Sequence, residues 1–416
     1  MIQENDIQTI IQPDSGAWAA VHSAEGNAPG PETLKIGNDE VADNCTFYVD
    51  DLTAESAVLD KSRVFHRGGS AVIETQGHFP FGTPLKFKQT CRYAQNHLRV
   101  AFDLQWPRAL ELKRHLGIGC MNLPGQWARL YVYPPAQQIC DGAEPGWLEL
   151  PDPPRSNAEI MVGHWHRPPL ALVFERPDKT RLEIGADDDI WRWNLALGHG
   201  PESGSFKIML GQNGIRLVRE PVMSCIPFTP RRQLYRFKWY AAWQGPNFPN
   251  PPKLPGSHTP LIFDNDGRLV ADNLNADDES NSCLLDLTAI SWPGAARHAV
   301  TRARYLRGER DTSPCWQSNA TRNLGKKIIR QIKERLAPGS LYIRGLEPAP
   351  CWDPAHLARN AVDGLPHWDL GDILDFSVWT RRQLGAEWSL SHLSESPPAL
   401  PSLNALFQPN GFDIEY

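Results

Sequence analysis

Three adjacent aspartates followed by two tryptophans are the residues of this chain whose types and spacing best suit chemistry. Asp187 and Asp189 bound the acidic run, and Arg192 lies between Trp191 and Trp193. Carboxylates this close together can hold a divalent cation, act as general acids and bases, or accept hydrogen bonds from sugar hydroxyls. The indole rings offer flat apolar faces for a sugar ring, with a forked donor between them. The alternative is an exposed turn, where Asp is common.

A second pair of candidates is His164 and His166, which are two residues apart. Residues at this spacing on a strand point to the same face, so the two imidazoles would lie side by side. That arrangement suits two ligands of one metal ion or two partners in proton transfer. We predict both histidines, with Asp187 and Asp189, as catalytic residues. Two surface histidines would show the same spacing.

Cations follow farther along the chain, at Arg231, Arg232, Arg236 and Lys238. Guanidinium groups match carboxylated or sulfated substrates, because their fork of donors pairs with two oxygens. We predict Arg231, Arg232 and the neighbouring Trp239 as substrate-binding residues, together with residues 191–193. A solvated sheet face would carry the same alternating cations.

The C-terminal part of the chain holds polar groups at predicted helix N-termini. Cys351, Asp353 and His356 surround one such start, and residues 367–369 (His-Trp-Asp) surround another. Helix N-termini attract anions and polar ligands. N-capping alone explains Asp353 and Asp369.

The elements that must position these residues are mostly strands. Alternating apolar and polar residues predict short strands throughout residues 61–243, namely 64–66, 71–75, 85–89, 97–104, 128–133, 170–174, 181–184, 205–210, 215–219 and 234–240. Residues 67–69 and 211–214 are glycine-containing hairpin turns. The apolar run 170–174 is typical of a strand covered on both faces.

The C-terminal part has a different pattern, after a Pro-rich linker at residues 246–260. Apolar residues at spacing four predict a helix over 319–336, and further helices are expected from Asp353 and over 369–384. Residues 340–345 form a strand between the first two, and residues 264–267 favour a β-turn over a calcium loop. We therefore expect a β domain over 1–245 and an α/β region over 261–416.

Composition excludes several classes of protein. The 416 residues carry a net charge of −6, which gives no electrostatic basis for binding nucleic acid or an anionic membrane. No segment has the length of a membrane span, and the N-terminus lacks the pattern of a signal peptide. We expect a cytoplasmic protein, or a periplasmic or secreted one if a leader was removed. Eight scattered cysteines without a CxxC pair argue against a zinc ribbon and favour buried thiols.

The long run of antiparallel strands with aromatic residues resembles the galactose mutarotase-like β-supersandwich over residues 40–245. This resemblance implies a mainly β fold with a large antiparallel β-sandwich, to which the chain adds a smaller α/β C-terminal region. It also implies carbohydrate chemistry, because aldose epimerases and sandwich domains of glycoside hydrolases and polysaccharide lyases share the fold. His164, His166, Asp187 and Arg192 are of the residue types that such proteins use.

These observations favour a carbohydrate-active enzyme that cleaves a glycosidic bond in an oligo- or polysaccharide. Hydrolysis needs two carboxyl groups, one of which would be Asp187 or Asp189. Elimination needs a base and a cation, such as Arg192 or Arg232, or a metal ion. The cofactor is open, with a divalent cation as the candidate. The alternative is a non-catalytic carbohydrate-binding or assembly protein, in which the tryptophans form a platform.

Overall fold

The computed structural model describes strands, two long helices and short connections. The described residues are 9–11, 19–22, 33–36, 39–50, 52–53, 56–67, 70–94, 97–107, 110–111, 115–133, 147–150, 158–162, 171–186, 206–211, 214–219, 222–223, 234–244, 254–264, 266–270, 282–297, 307, 313–346, 350–351, 353–356 and 367–393.

The chain divides into two compact units. Unit 1 comprises Met1–Pro246 with Asp413–Tyr416, and unit 2 comprises Asn247–Phe412. The division falls at the start of the Pro-rich segment. The last two residues of the predicted linker belong to a strand of unit 2, Thr259–Pro260.

The described part of unit 1 is built mainly from strands. In chain order they are β1 Thr9–Ile11, β2 Ala19–His22, β3 Thr33–Ile36, β4 Asp39–Val49, β5 Leu52–Thr53, β6 Val58–Arg67, β7 Ser70–Phe79, β8 Leu85–Ala94, β9 His97–Gln105, β10 His115–Pro124, β11 Arg129–Tyr133, β12 Trp147–Glu149, β13 Ala158–Val162, β14 Ala171–Glu175, β15 Arg181–Ala186, β16 Phe206–Gly211, β17 Gly214–Arg219, β18 Val222–Met223 and β19 Leu234–Gln244.

These strands form two large antiparallel sheets. One has ten strands in the order β1-β2-β3-β4-β10-β17-β16-β13, with β5 beside β4 and β18 beside β10. The other has nine strands in the order β12-β11-β14-β15-β19-β9-β8-β7-β6. The predicted fold class of a large antiparallel sandwich is thus confirmed.

The inner faces of the two sheets share one apolar core. Phe47 of the ten-stranded sheet lies 5.4 Å from Phe79 and from Phe87, and 4.5 Å from Phe102, measured between ring centroids. The three partners belong to the nine-stranded sheet. Aromatic rings at these separations bury large apolar areas and fix the layers against each other.

Local sequence signals positioned several strands as expected. The two predicted hairpins pair Arg67 with Ser70 and Gly211 with Gly214. All five residues of β14 are buried, in agreement with a strand covered on both faces. Of the described cysteines, five are buried thiols and Cys283 is half-buried, and none of these six is joined in a disulfide.

Unit 2 combines a parallel sheet with helices. Its elements are β20 Thr259–Pro260, β21 Ser282–Asp286, α1 Asn319–Arg335, β22 Ser340–Arg344, β23 Pro350–Cys351, β24 His367–Trp368, α2 Leu370–Leu384 and β25 Ser389–Leu393, with short 3-10 helices at Gly294–Ala296 and Pro354–His356. The sheet order is β20-β21-β22-β25, and all its pairs are parallel. Helix α1 connects β21 to β22, and α2 connects β22 to β25, which confirms the α/β character of this region.

Helices α1 and α2 match the sequence prediction. Of the helix expected from Asp353, the structure describes residues 353–356, which include a 3-10 turn at Pro354–His356, and residues 357–366 lie outside the described residues. His367 and Trp368, expected at a helix start, pair with β23, and α2 begins at Leu370.

The turn at residues 264–267 is confirmed. The Asp264 carboxylate accepts hydrogen bonds from the backbone N–H groups of Asp266 and Arg268, and Gly267 adopts a positive φ of 71°. This is the chemistry of an Asp-initiated β-turn. Among the described helices, none is long and apolar enough to cross a membrane.

Candidate functional site

Nine of the ten predicted site residues lie outside the described residues. They are His164, His166, Asp187, Asp189, Trp191, Arg192, Trp193, Arg231 and Arg232. The structure describes the strands that lead to them. Strand β13 ends at Val162, and β19 begins at Leu234. Strand β15 ends at Ala186, so the acidic run follows directly from an inner strand of the nine-stranded sheet.

Trp239 is the predicted site residue that the structure describes, and it lies in the core. Its side chain is 4% exposed and belongs to the apolar cluster between the sheets. Alternation along β19 puts Trp239 on the inner face with Phe237 and Ala241. The ring therefore packs inside the sandwich, so Trp239 is no longer a candidate for stacking on a sugar ring.

The neighbouring cation Arg236 has a structural partner. Its guanidinium binds both carboxylate oxygens of Asp103, with nitrogen-to-oxygen distances of 2.6 and 2.8 Å. Asp103 is its partner in the strand register, and the Arg236 side chain is 59% exposed. This geometry matches the alternative interpretation of a solvated sheet face.

The outer face of the nine-stranded sheet carries a polar group that sequence reasoning missed. The Tyr240 hydroxyl donates a hydrogen bond of 2.6 Å to Oε1 of Glu183. Both side chains are fully buried. A buried carboxyl group is costly unless its oxygens are hydrogen-bonded, and this short bond meets part of that cost.

The backbone of β15 makes room for this pair. Gly185 lies opposite Tyr240 in the ladder, two residues after Glu183 on the same face. A Cβ atom at Gly185 would overlap the Tyr240 ring, so glycine lets the ring lie flat over the strand. The hydroxyl then reaches diagonally to Glu183, as long side chains can across antiparallel strands.

Two arginines continue the same cross-strand row. Arg99 of β9 is the register partner of Tyr240, and Arg92 of β8 is the register partner of Arg99. Both side chains are half-buried. Like charges directly opposite each other are unfavourable across a ladder, so this position favours an anionic group nearby.

An ion-pair network lies on the same sheet face in a separate cross-strand row, formed by Arg129, Glu175 and Arg181. Glu175 of β14 is fully buried and binds Arg129 at 2.8 Å, Arg181 at 2.8 Å and Lys179 at 3.1 Å. Burial raises the pKa of Glu175, but the hydrogen bonds from these three cations outweigh it and hold the pKa below its usual value. The Arg129 guanidinium also lies 4.1 Å from the Trp147 ring centroid. Because these charged groups are paired with one another, we interpret the network as structural.

A weak sequence signal for the pair did exist. Glu183 interrupts the apolar residues Leu182 and Ile184 on a strand next to the fully apolar β14. Tyr240 is 57 residues away, and only the β15–β19 register brings the two together. Chemically, the pair offers a carboxylate that can take or return a proton and a hydroxyl that can relay it, with cations alongside.

Unit 2 holds a separate group of metal-ligating side chains. Cys315, Cys351 and His356 are buried, and one ligand atom of each lies within 4.8 Å of the others. Burial raises the pKa of Cys315 well above its usual value, and the neighbouring Cys351 and the Asp369 carboxylate add to the effect.

The prediction that Asp353 and Asp369 are N-caps has a different outcome for each residue. Asp353 caps its 3-10 turn, since Oδ1 accepts the Ala355 N–H at 2.9 Å. The fully buried Asp369 occupies the N-cap position of α2, but its side chain makes no cap hydrogen bond. Its Oδ2 accepts the Trp316 N–H at 2.8 Å instead. The N-cap explanation therefore holds for Asp353 and is wrong for the Asp369 side chain.

Known proteins resemble this chain only in architecture. No family model matches it, and no curated protein matches its sequence. A galactose mutarotase related enzyme from Lactobacillus acidophilus has 8% sequence identity and a TM-score of 0.36, covering 57% of this chain and 98% of that one. A Glycoside Hydrolase Family 97 enzyme in complex with acarbose, from Pseudoalteromonas sp. strain K8, has 10% identity and a TM-score of 0.37, covering 97% and 68%.

A third solved structure is an α-N-acetylgalactosaminidase quadruple mutant from Bifidobacterium bifidum, with 10% identity and a TM-score of 0.31, covering 51% of this chain and 33% of that one. The resemblance to mutarotase-like proteins that the strand pattern predicts is thus found at the level of architecture. Because the TM-scores are below 0.5, the resemblance supports no argument about the chemistry of this protein. That argument rests on the chain's own residues.

Proposed function

We propose that this chain is a carbohydrate-active enzyme that cleaves a glycosidic bond on the outer face of its nine-stranded sheet. The observation that carries the proposal is the buried hydrogen bond of 2.6 Å between Tyr240 and Glu183. A carboxyl group and a phenol joined by a hydrogen bond are suited to proton transfer, because one can accept the proton that the other donates.

In hydrolysis, Glu183 would be one of the two carboxyl groups that the reaction requires. The second would come from Asp187 or Asp189, which follow Glu183 on the chain immediately after β15. One carboxyl group protonates the leaving oxygen, and the other activates water or attacks the sugar. Because Glu183 is fully buried, the residues that cover it must move aside before a substrate can enter.

Elimination from a uronic unit is the second candidate reaction, and the Tyr240–Arg99 pairing favours it. A phenolate can abstract the proton next to the carboxylate of the sugar, and a guanidinium can stabilise the developing enolate. Arg99 lies opposite Tyr240 in the ladder, and Arg92 lies opposite Arg99. The two reactions leave different products, which separates them experimentally.

The test is a comparison of Glu183→Gln, Tyr240→Phe and wild type on a panel of neutral and uronate-containing glycans. Reducing-sugar release measures cleavage, and ultraviolet absorbance of the unsaturated uronate measures elimination. We expect each variant to lose activity by about 100-fold or more, which is the usual worth of a general acid or base. Glycan binding on an array should stay close to that of wild type.

Folding is controlled in the same experiment. The Gln carbonyl oxygen at 183 can still accept the Tyr240 hydroxyl, so Glu183→Gln should keep the native melting temperature. Asp103→Asn is the matched control, because Asp103 is a carboxylate on the same sheet face, and it should keep full activity. If wild type binds glycans and cleaves none, the chain is a binding protein. If Glu183→Gln keeps activity, the proposed site is wrong.

A further inference from the structure

Two thiols and an imidazole from separate segments of unit 2 meet in its interior. The Cys351 Sγ atom lies 3.3 Å from Nδ1 of His356, and the ligand atoms of Cys315, Cys351 and His356 all lie within 4.8 Å of one another. Cys315 and Cys351 are fully buried, and His356 is 6% exposed. The group is independent of the site proposed in unit 1.

The α/β topology explains how residues 36 positions apart come together. Cys315 lies in the connection from β21 to α1, and Cys351 and His356 lie in the connection from β22 to α2. Connections of this kind leave the carboxyl ends of parallel strands and enter helix N-termini at the same edge of the sheet. Strands β21 and β22 are direct neighbours, so their connections meet there. Ligand sites in parallel sheets are found at this edge.

The spacing of the three ligand atoms fits a tetrahedral zinc ion. Bonds of about 2.3 Å to sulfur and about 2.1 Å to nitrogen place neighbouring ligand atoms roughly 3.6–3.8 Å apart. The sulfur-to-nitrogen distance of 3.3 Å and the limit of 4.8 Å for the whole group are close to these values. Only small side-chain adjustments would bring all three atoms into contact with one ion.

Zinc-binding histidines usually have a carboxylate, carbonyl or water near their second ring nitrogen, and Asp353 occupies that place beside His356. Its Oδ2 lies 3.6 Å from Nε2 of His356, on the opposite side of the ring from Cys351. Its other oxygen accepts the backbone N–H of Ala355, which holds the carboxylate in place. A carboxylate on this side of the imidazole that moves to hydrogen-bond distance accepts the Nε2 proton and so fixes the tautomer that presents Nδ1 to a metal.

We propose that Cys315, Cys351 and His356 bind a zinc ion in unit 2. Two thiolates and an imidazole form a soft ligand set that selects zinc over magnesium or calcium. Water takes the fourth position. A reactive cysteine would be expected to be partly exposed, whereas both thiols here are fully buried.

The experiment measures the metal content of the full chain after expression with zinc, reduction and extensive dialysis. We expect about one zinc ion per chain in wild type. Cys351→Ser and His356→Ala should each lose most of it. Cys283→Ser is the matched control, since Cys283 is a half-buried thiol of the same unit outside the cluster, and it should retain the zinc.

Two further measurements separate metal binding from misfolding. Cobalt added to metal-free wild type should produce a thiolate-to-cobalt charge-transfer band. Asp353→Asn, which keeps every ligand, should bind zinc about 10–100-fold more weakly in a chelator competition. The proposal is overturned if reduced wild type binds neither metal, if Cys351→Ser keeps its zinc, or if peptide mapping finds a Cys315–Cys351 disulfide in the native protein.

Discussion

Glu175 in unit 1 and His392 in unit 2 are buried titratable groups held in opposite states, the first charged and the second neutral. In unit 1, the buried Glu175 has three cationic partners, and their hydrogen bonds keep its pKa below the usual value against the effect of burial. Glu74 has the same pattern, since hydrogen bonds from Arg63 and Lys88 outweigh its partial burial and lower its pKa. These carboxyl groups remain charged.

In unit 2, burial favours the neutral forms of His392 and Asp372. His392 of β25 is 1% exposed, and neither ring nitrogen has a hydrogen-bond partner among the described residues. Burial lowers the pKa of His392 to about 4. Burial also raises the pKa of Asp372 to about 7, although the Arg322 guanidinium opposes the change.

The difference follows from the way each architecture places neighbours. An antiparallel ladder sets side chains directly opposite one another, so the register can put a cation beside each carboxylate on the outer face. The layer between a parallel sheet and its helices is apolar. His392 occupies a row with Leu285 and Ile343, where desolvation acts without a counter-charge in the row. Acid should therefore affect the two units in different pH ranges.

The largest expected effect is the loss of unfolding free energy at acidic pH that protonation of His392 causes. The unfolded imidazole binds a proton near pH 6.5, whereas the folded one does so only near pH 4. Stability is therefore present above pH 6.5 and is lost as the pH falls toward 4. The pKa difference of about 2.5 corresponds to a loss of about 3 kcal/mol.

Urea unfolding at several pH values would measure this loss. His392→Leu should abolish it and should be at least as stable as wild type at pH 7, because a buried imidazole without partners is replaced by an apolar side chain. His258→Gln is the control, since the half-buried His258 has a hydrogen bond to the Pro255 carbonyl oxygen, and it should leave the acid response intact. An unchanged acid response in His392→Leu would contradict the neutral state of His392.

An intermediate effect is expected at Glu175. Glu175→Gln should lower the free energy of unfolding at pH 7 by about 2 kcal/mol, because the charge-assisted hydrogen bonds to Arg129 and Arg181 are weakened. The folded pKa lies below 4.5, so this contribution is present above pH 4.5 and disappears as the pH falls through the folded value.

The same urea series, continued to pH 3, measures the contribution of Glu175. The difference between wild type and Glu175→Gln should shrink only below pH 4.5, after the loss due to His392 has begun. Glu149→Gln, an exposed carboxyl group on β12, should change stability by less than about 0.5 kcal/mol at every pH. A constant difference between wild type and Glu175→Gln down to pH 3 would refute the charged state of Glu175.

The smallest effect concerns the exposed pair Arg236–Asp103. Because the Arg236 side chain is 59% exposed, solvent screens the pair despite its two short hydrogen bonds. A double-mutant cycle with Arg236→Ala and Asp103→Ala should give a coupling of about 0.2–1 kcal/mol that falls in high salt. A coupling above about 2 kcal/mol would mean that this sheet face is not solvated.

Much of the local structure could be predicted from short-range sequence patterns. The glycines at 211 and 214 mark their hairpin, and Ile328 and Ile332 mark the buried side of α1. Such signals are contained within a few neighbouring residues, where backbone preference and periodicity decide. The helix predicted from Asp353 is described only over residues 353–356, which include a 3-10 turn. The β23–β24 ladder pairs residues 16 and 18 positions apart, which no local window reveals.

The candidate sites were less predictable. Sequence reasoning favoured clusters of adjacent polar residues, of which those at 164–166, 187–193 and 231–232 lie outside the described residues, whereas the group at Cys351, Asp353 and His356 is described. The pair that the structure describes, Glu183 and Tyr240, joins two strands far apart in sequence. Trp239 was predicted to bind substrate, but it lies on the apolar face of β19 with Phe237 and Trp243 and packs in the core.

Sequence alone determined the fold class of this protein, the strand-rich first part, the change to α/β structure after the Pro-rich segment, and most turns and helix ends. Tertiary structure alone decided that Tyr240 meets Glu183 and that Cys315 meets Cys351 and His356. Strand order and register choose among partners that are equivalent in composition, and the free energy of that choice comes from packing across the whole sheet. The chemistry of this protein therefore depends on contacts that no short stretch of its sequence contains.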